Sequence, residues 1–314
     1  MTPKSGTGRG RVLYGCMGIG GSWDRTPYSA ANIAQAEAAV EAALSAGITA
    51  FDHADIYRHG KSESVFGEVL ARAPDLRERI TLQTKCGIRL PDGDGVGRYD
   101  LRASSITRRV EESLARLRTD VIDVLLLHRP DPLASPEEIA KAIASLQQQG
   151  LVRHFGVSNM SAAQIDSLRA HLDVPLIANQ LEMSLARRDW LEAGVLLNTS
   201  AAAANGFPHG TLEYCAAHGL ELQAWGPLAQ GRFTGPEPTP AGSLIRDLAE
   251  RKETTPETIL LWWLQRHPAG ISPVIGTTNP ERIRACHDAV ESDPGLSHEE
   301  WYELWIAARG ARLP

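Results

Sequence analysis

Residues 121–159 read VIDVLLLHRPDPLASPEEIAKAIASLQQQGLVRHFGVSN. The stretch begins with a mostly apolar run at 121–127, which is typical of a buried strand. Residues 135–138 (SPEE) then supply a serine N-cap, a proline at the first helical position and a glutamate at the third. A second strand-like run follows at 152–157. This order of strand, helix and strand predicts a βαβ unit with two parallel strands.

The same pattern repeats along the whole chain. Strand-like runs are found at 12–19, 47–52, 79–85, 121–127, 152–157, 174–180, 220–225 and 271–275. The repeat of about 33 residues is the size of a βαβ unit. We therefore predict an α/β fold in which one (β/α)8 TIM barrel occupies residues 12–292, and a helical tail follows at 293–314. No Pro/Gly/Ser-rich linker divides the chain, so residues 1–314 are predicted to form a single domain.

Helix signals separate these strands. They are the helical spacing of apolar residues in 30–46, the Ser161-x-x-Gln164 capping box, the helix starts at Thr255-Pro256 and Asn279-Pro280, and an amphipathic stretch at 297–309. An open, doubly wound sheet would instead carry G-x-G-x-x-G after its first strand. The glycines at 15, 18, 20 and 21 do not have that spacing, and we interpret them as a tight turn.

The composition argues against several classes of protein. The 314 residues have a formal net charge of −6 and no Lys/Arg block, so a nucleic-acid partner is not expected. Residues 1–11 lack the apolar segment of a secretion signal, and no run approaches the roughly 18 apolar residues of a membrane helix. The four cysteines are far apart and without C-x-x-C spacing. We expect a cytoplasmic protein with reduced thiols, no membrane segment and no obligate protein partner.

Ionisable residues follow three neighbouring predicted strands. Asp52 ends the second strand and Tyr57 lies in the loop beyond it, Lys85 ends the third strand, and His128 ends the fourth. Each residue alone has an ordinary explanation: a solvated lysine, a structural histidine or a loop-capping aspartate. In a barrel, however, the strand ends meet at one face, where functional residues collect. The sequence therefore predicts that these four side chains share one site.

Together these residues can deliver a proton. The ordinary pKa of tyrosine is about 10, and a nearby ammonium group favours the tyrosinate and lowers that pKa. Asp52 would keep Lys85 charged, and His128 would orient a carbonyl oxygen. Such an acid needs a hydride donor to reduce a carbonyl group, and no side chain provides a hydride. A nicotinamide cofactor is therefore expected.

Seven stretches resemble the aldo-keto reductase family. They are FDHADIY at 51–57, TKCG at 84–87, LLLHRPD at 125–131, LVRHFGVSN at 151–159, NQ at 179–180, AWGPLAQGRF at 224–233 and PVIGTTNPERI at 273–283. The tail at 299–310 (EEWYELWIAARG) is also similar to that family. The resemblance implies a catalytic tetrad of Asp52, Tyr57, Lys85 and His128, with Tyr57 as the proton donor. It implies reduction of an aldehyde or ketone to an alcohol.

The resemblance also implies a set of cofactor-binding residues. Ser158, Asn159 and Gln180 would hold the nicotinamide carboxamide and Trp225 would stack on the ring. The remaining residues are Gly20, Gly226, Pro227, Leu228, Gly231, Arg232, Ile275, Gly276, Thr277 and Arg282. Arg282 lies in the first turn of a predicted helix, where a cation opposes the helix dipole unless an anion binds there. This arrangement favours NADPH, with NADH as the second possibility.

Two other functions remain open at this level. A metal-dependent hydrolase could use Asp52, His53, Asp55 and His59, although Lys85 would place a cation against the metal. We therefore expect no metal. A nicotinamide-binding sensor without turnover would keep the same residues. The small-molecule carbonyl substrate is expected to meet Trp23, Tyr28 and the loops at 88–99 and 198–210, where the second loop is predicted to be an inserted, flexible segment.

Overall fold

The computed structural model describes residues 10–93, 95–235 and 239–314. The prediction about a secretion signal falls mainly on residues 1–9, outside the described part, as does residue 94 of the loop at 88–99. The described chain forms ten strands: β1 (Leu13–Gly15), β2 (Ala50–Asp52), β3 (Thr81–Cys86), β4 (Ile88–Arg89), β5 (Arg98–Tyr99), β6 (Ile122–Leu127), β7 (Val152–Ser158), β8 (Leu176–Glu182), β9 (Glu221–Trp225) and β10 (Ser272–Ile275).

Eight of these strands close into a parallel barrel. Around it they follow the order β1-β10-β9-β8-β7-β6-β3-β2, and β2 returns to β1. The seam between the first and last strands pairs Leu13 with Val274 and Tyr14 with Ile275. All eight predicted strands are present, so the (β/α)8 prediction is confirmed.

Helices connect the barrel strands on the outside. They are α1 (Ala30–Ser45), α2 (Lys61–Arg72), α3 (Leu76–Arg79), α4 (Ala103–Leu117), α5 (Pro136–Gln148), α6 (Ala162–Arg169), α7 (Asp189–Val195), α8 (Thr211–Ala217), α9 (Pro240–Arg251), α10 (Pro256–Gln265), α11 (Pro280–Arg284), α12 (His287–Glu291) and α13 (His298–Arg309). The predicted starts are confirmed, since the side chains of Ser135, Ser161 and Thr255 each accept a hydrogen bond from the first turn.

Two local features differ from the sequence prediction. The first strand ends at Gly15 instead of residue 19, because a 3-10 turn follows at once and Gly20 and Gly21 have positive φ angles of 91° and 81°. The loop after β3 contains an antiparallel hairpin of β4 and β5, which the sequence pattern does not predict. In the predicted flexible loop, Ser200–Ala204 form a 3-10 helix.

The barrel interior is partly polar. Because strand side chains alternate between two faces, residues two apart on a strand share the interior. Apolar interior residues form two small clusters apart from the main core, one of Leu13, Ala50 and Val274, the other of Val124, Leu126 and Ala178. The buried side chains of Gln83, Gln180 and Gln223 lie on the barrel strands β3, β8 and β9, where Gln83 is in register with Val124 and Gln223 with Gln180 and Ser272. A barrel interior is more often filled by branched apolar side chains.

The tail helix α13 packs against the barrel through tryptophans. The rings of Trp263 on α10 and Trp301 on α13 stack with centroids 5.2 Å apart and an 8° angle between their planes. Each indole N–H donates to the backbone carbonyl of the other residue, at 3.2 Å and 2.8 Å. Trp305 adds a hydrogen bond to Glu192 of α7 at 3.1 Å. These contacts fix the tail on the outer surface.

The remaining sequence expectations concern thiols and membranes. Cys16, Cys86, Cys215 and Cys286 are all buried and free. Within the described ranges, no helix is both long and apolar enough to cross a bilayer.

Candidate active site

Three adjacent strands bring the predicted tetrad together at the carboxyl end of the barrel. Asp52 is the last residue of β2, Lys85 lies near the end of β3, and His128 follows β6. The Lys85 ammonium group donates to Asp52 Oδ2 at 2.6 Å, to the His53 carbonyl at 2.9 Å and to the Tyr57 hydroxyl at 3.1 Å. Lys85 thereby joins the carboxylate to the phenol.

The charge on Lys85 is held by its surroundings. Its side chain is fully buried, and burial alone would lower its pKa because the charged form loses water. The charge of Asp52 and the hydrogen bonds to Asp52 and Tyr57 outweigh that effect, so the pKa of Lys85 is raised above its ordinary value. A buried ammonium group therefore persists beside the tyrosine.

The pKa of Tyr57 is raised, whereas the sequence predicts that Lys85 lowers it. Burial raises the pKa of the phenol above 10, and the nearby Asp52 charge acts in the same direction. Lys85 lowers the pKa as expected, but its effect is smaller than that of burial. Lys85 also lies over the ring, with Nζ 4.9 Å from its centroid. Tyr57 therefore keeps its proton through the neutral range, which suits a proton donor.

His128 is a neutral residue at this site. Burial, followed by the charges of Lys85 and Arg129, holds the pKa of the imidazole well below 6.5. Its ring meets the Tyr57 ring edge-on, with centroids 6.1 Å apart. The buried Nδ1 atom has no hydrogen-bond partner among the described residues. A neutral imidazole carries one N–H donor, which is what holding a carbonyl oxygen requires.

The loop after Tyr57 has an unusual backbone. Arg58 and His59 have positive φ angles of 53° and 59°. Arg58 donates to the Met17 carbonyl at 3.1 Å and its guanidinium lies 5.1 Å from the centre of the Trp23 ring. Trp23, predicted to line the mouth, therefore lies against this loop. Tyr28, also predicted there, instead directs its hydroxyl to Glu68 on α2 at 3.2 Å.

The predicted nicotinamide residues lie at the ends of β7, β8 and β9. Asn159 has a φ of 57°, and its side chain donates to Ser158 Oγ at 2.8 Å and accepts from the Trp225 indole at 3.2 Å. A flat ring bearing a carboxamide needs an aromatic face next to polar groups, and this cluster provides both. Gln180 Nε2 donates inward to Asp52 and Gln223, at 3.1 Å and 3.0 Å. Only Oε1 of Gln180 is therefore left to accept a hydrogen bond from a nicotinamide carboxamide.

The other predicted cofactor residues lie in the loops after β9 and β10. Gly226, Pro227, Leu228, Gly231 and Arg232 follow β9, while Ile275, Gly276 and Thr277 end or follow β10. Gly226 and Gly276 are exposed, and a Cβ on either would meet no atom within 4 Å. Gly20 has a packing role, because a Cβ there would lie 2.8 Å from the Lys61 and Ser62 backbone.

Arg282 lies in the first turn of α11, as predicted. It is exposed, and its guanidinium forms no ion pair within the described part of the chain. The helix amides are not free, however, because the Asn279 side chain accepts from the backbone N–H groups of Glu281 and Arg282 at 2.9 Å and 3.4 Å. An anion at this position would therefore depend on the guanidinium more than on the helix amides.

Comparison with known proteins agrees with this geometry. The Aldo/keto reductase family model matches residues 11–306. The chain belongs to the aldo/keto reductase family. It is 36% identical to the 6-dehydroglucose reductase of Agrobacterium fabrum over 308 residues, covering 96% of this chain and 95% of the relative. It is 35% identical to Oxidoreductase YdhF of Escherichia coli, with 88% of each chain covered.

Solved aldo/keto reductases share the barrel. An aldo/keto reductase from Klebsiella pneumoniae, solved with NADP and acetate, is 27% identical and has a TM-score of 0.71, with 93% of this chain and 89% of that chain covered. The thermostable aldo-keto reductase Tm1743 is 25% identical with a TM-score of 0.73, and 94% of each chain is covered.

This aldo/keto reductase has polar residues near the tetrad that the sequence analysis did not identify. Gln83 donates to Asp52 Oδ1 at 2.6 Å, and Gln223 exchanges hydrogen bonds with Gln83 at 2.8 Å and 3.1 Å. The signal was present, since Gln83 precedes Lys85 by two residues and therefore shares its face of the strand.

The metal hypothesis has no support in the site. Asp52 is occupied by Lys85 and two glutamines, and His53 and Asp55 are fully buried behind the site. His59 Nε2 lies 3.0 Å from the Trp23 carbonyl oxygen, to which it can only donate a hydrogen bond. Among the residues that the structure describes, no group of three His, Cys, Asp or Glu side chains could hold a metal ion.

Proposed function

We propose that the protein reduces the carbonyl group of an aldehyde or ketone to an alcohol, with NADPH as hydride donor and Tyr57 as proton donor. One observation carries the proposal: the Lys85 ammonium lies between the Asp52 carboxylate at 2.6 Å and the Tyr57 hydroxyl at 3.1 Å. A phenol that gives up its proton there leaves its negative charge beside a fixed cation. Membership of the aldo/keto reductase family supports the same chemistry.

The chain's own residues act on the substrate oxygen. Bound NADPH supplies the hydride to the carbonyl carbon. The neutral His128 holds the carbonyl oxygen near Tyr57 with its N–H group. As the C=O bond becomes an alkoxide, the Tyr57 O–H donates its proton and the alcohol forms. Lys85 stabilises the tyrosinate, and Asp52 keeps Lys85 charged and in place.

The first test is Tyr57→Phe, which removes only the proton donor. We expect kcat to fall about 10²- to 10⁴-fold, the usual contribution of a positioned acid. NADPH binding should change little, because the phenyl ring remains. The measurement is NADPH absorbance with a panel of aldehydes and ketones that includes 6-dehydroglucose, the substrate named for one relative.

Tyr302→Phe, in the tail, is the control for the same chemical change. If Tyr57→Phe turned over as fast as the parent with NADPH bound, the proton would come from elsewhere and the proposal would be wrong. Single-turnover oxidation of bound NADPH by the parent protein separates an enzyme from a nicotinamide-binding sensor.

A second test concerns the cofactor. If Arg282 holds the 2′-phosphate of NADPH, Arg282→Ala should weaken NADPH about 10- to 100-fold, the usual value of a hydrogen bond between charged groups. NADH lacks that phosphate, so its affinity should change less than twofold. Fluorescence titration of both cofactors measures the difference. Arg284→Ala, on the same helix, is the control, and equal weakening of both cofactors by Arg282→Ala would assign the phosphate to another residue.

A further inference from the structure

The polar interior of the barrel is connected to Asp52. We call Gln83, Gln180 and Gln223 the glutamine cluster. Asp52 Oδ1 accepts from Gln83 Nε2 at 2.6 Å and from Gln180 Nε2 at 3.1 Å, while Oδ2 accepts from Lys85. Asp52 and the three residues of the glutamine cluster are each at most 2% exposed. Buried carboxylate oxygens are costly unless they are hydrogen-bonded, and here both are.

Every amide N–H in the glutamine cluster is used. Gln83 and Gln180 each donate one hydrogen to Asp52 and the other to Gln223 Oε1, at 2.8 Å and 3.0 Å. Gln223 donates one hydrogen to Gln83 Oε1 at 3.1 Å and the other to Glu221 Oε2 at 3.0 Å. Six hydrogens therefore form six hydrogen bonds to four acceptor atoms, since Asp52 Oδ1 and Gln223 Oε1 each accept two. A network satisfied in this way holds its side chains in one arrangement.

Glu221 fixes the direction of the network. Arg11 donates to its two oxygens at 2.9 Å and 3.1 Å, and Ser272 donates to Oε1 at 2.8 Å. An amide can flip to exchange its oxygen and nitrogen, but a flipped Gln223 would turn its oxygen toward the Glu221 carboxylate. The negative charge therefore selects the orientation that presents Gln223 Oε1 to the other two amides. Their remaining hydrogens then point to Asp52.

We propose that the residues of the glutamine cluster are positioning residues. Through their hydrogen bonds, the Arg11–Glu221 pair fixes the orientation of the Asp52 carboxylate. Asp52 in turn keeps the Lys85 ammonium group next to the Tyr57 hydroxyl. The inference rests on the proposed function, because its consequence is faster proton donation by Tyr57. Amides do not titrate in water, so the cluster orients the carboxylate and stabilises its charge without transferring protons. It links the mouth of the barrel to the opposite end.

The test is Gln83→Met, which keeps the size of the side chain and removes its amide. We expect kcat to fall about 10- to 100-fold, the value of a hydrogen bond to a charged group. KM for NADPH and for the carbonyl substrate should stay within about twofold, since Gln83 lies beneath the site. Gln223→Met, one step from Asp52, should lower kcat in the same way but by less.

The matched control is Gln265→Met. Gln265 is also buried and donates to two backbone carbonyls, of Gly10 at 2.8 Å and Ala289 at 3.0 Å, but it has no contact with Asp52. Its loss should lower the melting temperature and leave kcat unchanged. If Gln83→Met lowered only the melting temperature, as Gln265→Met does, the glutamine cluster would be a purely structural network and the proposal would be wrong.

A readout without catalysis separates this inference from the proposed function. Carbon-13 NMR of protein labelled at aspartate reports the hydrogen bonding of the Asp52 carboxylate through its chemical shift, and Asp52→Asn assigns the signal. A changed chemical shift in both Gln83→Met and Gln223→Met, with none in Gln265→Met, supports the positioning role even if the parent protein reduces none of the carbonyls tested. Active parent protein whose Asp52 signal is the same in Gln83→Met and Gln223→Met overturns the positioning role alone.

Discussion

At the scale of single residues, the side chains of His53 and Asp55 lie next to the tetrad but take no part in its hydrogen bonds. His53 and Asp55 lie between Asp52 and Tyr57 in FDHADIY, and both are buried. Neither forms a side-chain hydrogen bond in the described structure. His53 packs edge-on against Phe66, with centroids 4.6 Å apart, and Asp55 lies 3.6 Å from Arg109 Nε. Both side chains therefore fix the loop through burial and packing.

Burial favours the neutral form of both side chains. Burial raises the pKa of Asp55 to about 8; the charge of Glu63 acts in the same direction and that of Arg109 in the opposite one. Burial lowers the pKa of His53 to about 3. Between pH 3.8 and about 8, folded Asp55 keeps a proton that the unfolded chain has lost, so the free energy of unfolding falls as pH rises. Between pH 6.5 and about 3, the unfolded chain protonates His53 and the folded chain does not, so that free energy falls as pH falls.

The two contributions cancel between the ordinary pKa values of aspartate and histidine, and the Asp55 contribution remains alone above pH 6.5. We predict that Asp55→Asn removes a decline in the free energy of unfolding of about 1 kcal/mol per pH unit between pH 6.5 and 8. Urea unfolding at several pH values measures it. The exposed Asp173→Asn is the control, and a decline that persists in Asp55→Asn would assign it to other groups.

At the scale of elements, a pair of stacked tryptophans and several polar contacts hold the tail helix α13 against the outer helices. The Trp263–Trp301 pair combines a stacked geometry with two reciprocal hydrogen bonds. Lys252 of α9 adds an ion pair with Glu300 at 2.8 Å. Most of the remaining α13 surface is polar, so the tryptophans provide much of the apolar burial that keeps the helix folded.

We predict that Trp301→Ala lowers the free energy of unfolding by about 3 kcal/mol through loss of a large buried side chain. Trp301→Phe keeps an aromatic ring and loses the hydrogen bond, so its cost should be about 1 kcal/mol. Chemical unfolding gives both values, and near-ultraviolet circular dichroism reports the stacked indoles directly. Equal losses in the two variants would mean that the hydrogen bond, and not the packing, holds the tail.

Local signals explain which elements the sequence predicted. Helix starts were found because a cap and its proline act within one turn, as at Ser135 and Pro136. The hairpin of β4 and β5 was missed because each strand has two residues and no period can be measured over so short a length. Tyr28 was assigned to the mouth by its place in a loop, but its hydrogen bond to Glu68 depends on how α1 and α2 pack.

At the scale of the whole molecule, repetition made the barrel predictable. Eight similar units close in one way, and strand ends then identify Asp52, Lys85 and His128 as neighbours. The spacing places Gln83 on the same face of its strand as Lys85, but it does not identify the residue from another strand that Gln83 contacts. Gln83 and Gln223 are 140 residues apart, and only closure brings their amides together.

Closure of the barrel also determines when the site can form during synthesis of the chain. Arg11 and Glu221, which orient the interior, are 210 residues apart, and β1 has no partner on one side until β10 has been made. A chain emerging from the ribosome carries Asp52, Tyr57 and Lys85 early, but it lacks the last barrel strand until about residue 275. Contacts of such separation form late in folding. Nascent chains therefore expose the edges of an open sheet for most of their synthesis, the period in which chaperones have most to protect.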